Sequence, residues 1–265
     1  MESPIFISTE ELQSLLSSNS VQVIDAGINH KESFVTGHIP SSIFFNIAEI
    51  KSNSSLLIQE IPTLEEFTEY MTALGVKSTA LTVVYDQTGF ALSGRAWYLL
   101  THFGVANVRI LDGGLPKWCS EGRQIESGDS SLSSLGENIN DYKFYPGLND
   151  RLSFEMVLQL TNQIKSLEIN AKIWDPRPFE IYNEGTVDTA VNLPVAELFN
   201  ENKTVKSREE VIEIIRNRIG DGKIVTSCFK GNNASLAYML LSYAGHLDRW
   251  IFTGSYEEWK LMRVQ

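Results

Sequence analysis

The sequence predicts an α/β protein made of two tandem domains, each a mostly parallel sheet flanked by helices. Two observations carry this. Strand-like runs alternate with helical ones, the pattern of α/β layering. The same order of runs also returns in the second half: Asp175 lies 150 residues after Asp25, Cys228 lies 142 after Asp86, and Trp250 lies 141 after Arg109. Near-constant separations over three motifs indicate a duplicated unit. A length of 265 residues suits two modest domains.

Taken in order, Ser8 caps a helix, with Glu11 three residues on and Leu12, Leu15 and Leu16 along one face. Val21-Gln22-Val23-Ile24-Asp25 reads as a strand ending in a carboxylate, and Thr63 with Glu66 opens a second capped helix. Leu81-Thr82-Val83-Val84-Tyr85 is a buried strand, followed by a polar loop and a helix over 94–103; Val108-Arg109-Ile110-Leu111 is a further strand. In the second half, Ala171-Lys172-Ile173-Trp174-Asp175 answers the first strand, 223–228 answers 81–86, and 250–259 answers 109–118. The paired Trp118 and Trp259 are expected in the cores, and Cys119 beside Trp118 is expected to pack there too. The stretch rich in Ser, Gly and Asn predicts a linker, which sets the domains at 1–125, 126–149 and 150–265.

Composition narrows the function. Hydrophobic residues make up 43% of the chain, enough for a folded core. A net charge of -11 repels a phosphate backbone, so nucleic acid is not expected as a partner. The longest apolar runs are a handful of residues, so no membrane partner is expected. Met1-Glu2-Ser3-Pro4-Ile5-Phe6-Ile7-Ser8 resembles neither a secretory signal nor a transit peptide. Two distant cysteines, without metal-ligand spacing, point to a reducing cytoplasm, with mitochondria left open, and to no metal or other cofactor.

The chemistry concentrates in Ser227-Cys228-Phe229-Lys230-Gly231-Asn232-Asn233-Ala234. A buried strand runs into a short loop and then directly into an expected amphipathic helix. Loop N–H groups and the positive helix end converge there, which favours an anionic, reactive sulfur. Gly231 lets the loop curl and Lys230 adds a formal charge. A buried, inert cysteine at a strand end is the plain alternative. The duplication favours the reactive one, because the equivalent position of the first copy is Asp86, which no core demands. Its carboxylate is expected to take the converging N–H groups of its own loop.

These residues give the chain a resemblance to the rhodanese superfamily, specifically the tandem-domain thiosulfate and 3-mercaptopyruvate sulfurtransferases. It rests on Gly37-His38-Ile39-Pro40, Val84-Tyr85-Asp86 with Arg95-Ala96-Trp97, and Leu111-Asp112-Gly113-Gly114 in the first copy. In the second it rests on Trp174-Asp175-Pro176-Arg177, Ala190-Val191-Asn192-Leu193-Pro194, Cys228-x-Lys230-Gly231 and Gly254-Ser255-Tyr256-Glu257-Glu258-Trp259. The resemblance implies rhodanese-like domains, an inert first and a catalytic second, with the site where they face each other. It implies that Cys228 takes a sulfane sulfur from a small donor anion as a persulfide and passes it to cyanide or a thiol, glutathione and thioredoxin among them. A monomer is expected.

Substrate contacts are expected from Phe229, Lys230, Gly231, Asn232, Asn233, Ala234, Arg177, Phe90 and His38. The loop lysine matches the members that prefer thiosulfate, and the serine of those that prefer mercaptopyruvate is missing. His38 is either part of a relay, with Asn29 where its aspartate would stand, or a turn histidine bonded to backbone. Ile181 stands where the family's pocket arginine would be, leaving Arg177 as a substitute cation or as the partner of Asp175 or Glu180. Phe90 and Phe229 either exclude water or pack an interface. A Cys-x5-Arg phosphatase is excluded by alanine at 234. The remaining alternative is a catalytically idle rhodanese-like binding module.

Overall fold

A computed structural model describes residues 4–28, 31–52, 57, 60–90, 92–129, 142–145 and 149–263. It divides into two compact units at 148/149, except that Glu201–Thr204 groups with the first and Glu60 with the second.

The first unit runs β1 (Phe6–Ile7), α1 (Thr9–Ser17), β2 (Gln22–Gly27), α2 (Lys31–Thr36), β3 (Ser42–Asn46), α3 (Leu64–Ala73), β4 (Thr82–Tyr85), α4 (Ser93–His102), β5 (Val108–Leu111) and α5 (Gly114–Ser120). Its sheet has the order β1-β5-β4-β2-β3, parallel throughout. The caps fall where the sequence puts them: Ser8 accepts from Glu11 N, and Thr63 forms a reciprocal capping box with Glu66. Leu12 is fully buried, with Leu15 and Leu16 packed beside it against a core that includes Val23, Val83, Tyr85, Leu111 and Trp118.

The second unit runs α6 (Phe154–Lys165), β6 (Ala171–Asp175), α7 (Phe179–Asn183), β7 (Ala190–Asn192), a 3-10 turn at Val195–Leu198, α8 (Arg208–Arg218), β8 (Lys223–Thr226), α9 (Asn232–Ala244), β9 (Arg249–Ile251) and α10 (Ser255–Arg263). Its sheet order, β7-β6-β8-β9 and again parallel, repeats β3-β2-β4-β5. The counterpart of edge strand β1 is a single parallel bridge, Arg151 to Ile251, closed by Leu152 N to Ile251 O and Ile251 N to Asp150 O, each at 2.9 Å. The duplication therefore extends to strand order and edge pairing.

Two side-chain expectations need correction. The helix after Cys228 is not amphipathic: α9 is buried continuously over 234–241, as its run of Ala, Leu, Tyr and Met on every face requires. Cys119 is exposed rather than packed, because α5 turns Trp118 inward and the next residue outward. Within the expected linker, His38 pairs with Glu126, Gly128 N bonds Val35 O, and Tyr142 and Phe144 are buried, Phe144 against Phe67 at 5.2 Å. The rest of that stretch, 130–141 and 146–148, lies outside the described residues, as does Asn29.

The β2 end carries a buried anomaly. Asp25 is fully buried; its Oδ2 takes a 2.5 Å hydrogen bond from Gln87 Nε2, while Oδ1 has no partner among the described residues. Burial drives its pKa from 3.8 to about 7, against the opposing hydrogen bonds of Gln87 and Tyr85. The folded state thus keeps this proton to a higher pH than the unfolded chain, so stability is lost as pH rises from about 4 through about 7. Asp25→Asn, which keeps an acceptor for Gln87, should stabilise the fold more at pH 7.5 than at pH 5, by an unfolding free-energy difference on the order of 2 kcal/mol read from thermal or denaturant melts. Equal shifts at both pH values would show that Asp25 does not titrate in this range.

Candidate active site

Strand β8 leaves the sheet at Thr226, and Cys228 follows two residues later at 4% exposure. Gly231 closes the loop at φ +96°, a left-handed conformation suited to glycine, and α9 begins at once. Its N–H donates to Cys228 Sγ at 3.0 Å. Asn232, Asn233 and Ala234 form the first turn of α9, whose N–H groups have no acceptors within the helix and whose dipole presents its positive end to the loop.

The far side of the loop is held by α10. Tyr256 N donates to Cys228 O and Glu257 N to Phe229 O, both at 3.0 Å. In a trans peptide the carbonyl and the following N–H point opposite ways. Anchoring these two carbonyls on α10 therefore turns the N–H groups of Phe229 and Lys230 away from it. Ser255, the first residue of α10, is fully buried, and its Oγ accepts from Cys228 N at 3.0 Å.

Asp86 shows what this turn is built to hold. One carboxylate oxygen accepts from Thr88 N, Thr88 Oγ1 and Gly89 N at 2.7–2.8 Å, and the other from Leu92 N and Ser93 N at 2.9 Å. Gly89 is left-handed like Gly231. The loop of the first copy is thus an anion cradle filled by the chain's own carboxylate, as the sequence led us to expect.

Beneath the second loop, Asp175 and Arg177 are both buried. The guanidinium reaches Asp175 through Nε at 2.9 and 3.1 Å and through an NH2 at 2.5 Å, and that NH2 also donates to Gly185 O at 2.7 Å. Thr186 Oγ1 completes the carboxylate at 2.6 Å. Burial alone would lower the Arg177 pKa; the hydrogen bonds and charge of Asp175, followed by the charges of Cys228 and Tyr256, outweigh it and raise it. Of the two roles open to Arg177, the geometry shows the partner of Asp175, with its charge still felt at the cysteine. Ile181 is exposed on α7.

The other expected contacts fall as follows. Lys230 is half-buried, its Nζ 5.7 Å from the Phe229 ring centroid, and no carboxylate among the described residues pairs with it. Phe229 is 42% exposed, beside Tyr256 with ring centroids 6.2 Å apart. Ala234 has its side chain in the core, so only its backbone can face a substrate. Asn232 Oδ1 is buried without a partner among the described residues, and Asn233 is half-buried. His38 and Phe90 belong to the first unit. His38 is a buried histidine whose Nδ1 sits 2.8 Å from Phe34 O and whose ring stacks on Phe34 at 3.9 Å, the backbone-bonded alternative. Phe90 is half-buried, with Lys203 Nζ 6.0 Å from its ring. The sequence reading missed Ser255, Tyr256 and Thr186; the exchange of Gly114 for Ser255 between the repeats was the available signal.

Fold and loop together define a duplicated rhodanese architecture, and comparison bears this out. The Rhodanese-like domain family matches residues 8–121 and 157–262, and the chain belongs to that family. Over 275 residues it is 28% identical to a 3-mercaptopyruvate sulfurtransferase of Escherichia coli (strain K12), covering 98% of this chain and 96% of that protein. It is 27% identical to thiosulfate/3-mercaptopyruvate sulfurtransferase 1, mitochondrial, of Arabidopsis thaliana, covering 96% and 75%. The crystal structure of SseA from Escherichia coli, a 3-mercaptopyruvate sulfotransferase with the rhodanese fold, superposes with a TM-score of 0.83 at 27% identity, covering 96% of this chain and 99% of that one.

The Asp86 cradle predicts a stability cost. Asp86→Ala leaves several buried donors unpaired and should destabilise the chain by at least about 1–3 kcal/mol in thermal melts. An unchanged melting temperature would mean that the loop does not depend on its carboxylate.

Proposed function

We propose that this protein is a sulfurtransferase whose nucleophile is Cys228, with residues 150–265 the catalytic domain and residues 1–125 a non-catalytic partner joined to it through 126–149. The observation that carries the reading is the Cys228 loop: a buried sulfur receiving the Gly231 N–H at the N-terminus of α9, in the position where the first copy holds a carboxylate. Sulfurtransferase relatives spanning nearly the whole chain support it.

In the proposed cycle the Cys228 thiolate attacks the outer sulfur of thiosulfate. A sulfur–sulfur bond forms at Cys228 as the donor's own breaks, and sulfite departs with the bonding pair. The resulting persulfide is anionic, and the loop N–H groups and helix end stabilise it. A thiol such as glutathione or thioredoxin, or cyanide, then attacks the terminal sulfur, and Cys228 leaves as thiolate. Lys230, free of carboxylate partners among the described residues, supplies the charge for the incoming sulfonate, and Arg177 adds a background field from beneath.

Lys230 favours thiosulfate as donor. The second reading, 3-mercaptopyruvate, is favoured by the names of the relatives. Presenting both donors at equal concentration, with cyanide as acceptor, separates them: sulfite should accumulate faster than pyruvate. Turnover should disappear in Cys228→Ser and persist in Cys119→Ser. Faster pyruvate release would assign the chain to mercaptopyruvate, and turnover from neither donor would leave the idle binding module.

A further inference from the structure

We propose that Ser255 is a positioning residue for Cys228, one whose hydroxyl fixes the cysteine backbone and turns its hydrogen bond onto the sulfur when the sulfur becomes anionic. This rests on the reading of Cys228 as nucleophile. The repeats supply the argument. Gly254-Ser255-Tyr256 answers Gly113-Gly114-Leu115, and the two central residues have the same left-handed backbone, φ +53° at Ser255 and +54° at Gly114. The backbone task is also shared: Leu115 N donates to Asp86 O at 3.3 Å, and Tyr256 N to Cys228 O at 3.0 Å. Glycine performs that task without strain in the first copy. The second copy places a side chain in a conformation that penalises one.

The loops have diverged to match. A Cβ on Gly114 would meet Gly89 Cα at 2.8 Å and the Asp86 and Gly89 carbonyl oxygens at 3.0 Å, so the Asp86 loop closes over bare backbone. The Cys228 loop leaves room and fills it with the fully buried Ser255 side chain. Ser255 Oγ accepts from Cys228 N at 3.0 Å and lies 2.9 Å from Phe252 O and 3.9 Å from Cys228 Sγ.

A hydroxyl has one proton and here two acceptors. Facing a neutral thiol, it is better placed on the Phe252 carbonyl. A charged sulfur makes the stronger, charge-assisted acceptor, and rotation about the C–O bond redirects the proton without moving it off Ser255. The residue thereby supports both the attacking thiolate and the persulfide that follows.

The test uses the full chain with Cys119→Ser, so that Cys228 is the only thiol, and measures its alkylation by iodoacetamide at pH 7 and pH 10. Ser255→Ala and Ser255→Gly should each slow alkylation about tenfold at pH 7, with the deficit closing at pH 10, where strong base in the bulk supplies thiolate regardless of the hydroxyl. Ser255→Gly reproduces Gly114 and relieves the left-handed strain, which offsets the lost hydrogen bond, and the melting temperature of each variant checks that it is folded. Wild-type rates at pH 7 in both variants would overturn the proposal, as would an equal deficit at both pH values, which would mark a packing role. Alkylation reads Cys228 directly, so either result would leave the nucleophile reading standing; that reading falls separately if Cys228→Ser still transfers sulfur.

Discussion

A parallel strand that passes directly into a helix must reverse its backbone within a few residues, and the peptide groups in that turn cannot all find partners in either element. Their N–H groups face inward, next to the unpaired N–H groups of the first helical turn, and something electronegative has to meet them. In the first copy Asp86 meets four such N–H groups, and the Thr88 hydroxyl, with one carboxylate. In the second the corresponding side chain is Cys228, shorter and softer, with the Gly231 N–H on its sulfur and the Ser255 hydroxyl on its backbone N–H. A turn that satisfies its N–H groups with a carboxylate in one copy offers them to a thiol in the other, which is the basis of the proposed sulfur chemistry.

The carboxylates at the ends of β2 and β6 show how the copies diverged around this constraint. Asp175 keeps a bidentate arginine two residues on, and position 27, its nearest counterpart, is glycine with no room for a side chain beside Phe44. Asp25 accordingly has no cation beside it among the described residues and holds its proton to about pH 7. A paired charge under the Cys228 loop adds a fixed field there, whereas the acid under the Asp86 loop adds charge only as pH rises through about 7.

Much of this was legible in the sequence, and the reasons are local. Repeated spacing marked the duplication, Ser8 and Thr63 announced their helices, and the strand–Cys–x–Lys–Gly–helix order pointed to the loop where the buried Cys228 sulfur receives the Gly231 N–H. Capping chemistry could likewise have marked α8, where Ser207 and Glu210 close a box that the reading passed over. What escaped depends on contacts distant in sequence. Ser255 meets Cys228 across 27 residues, and the commitment of Arg177 to Asp175 needs the burial of both, which no spacing reveals. Cys119 was misplaced because one residue along a helix turns its side chain through about a hundred degrees.

If Cys228 carries the transferred sulfur, the place of that sulfur can be measured directly. The chain is incubated with thiosulfate, digested without reductant, and its cysteine peptides are weighed before and after cyanide. The account predicts one added sulfur on the Cys228 peptide, removed by cyanide, and none on the Cys119 peptide. Sulfur on the exposed Cys119 with Cys228 unmodified would contradict it.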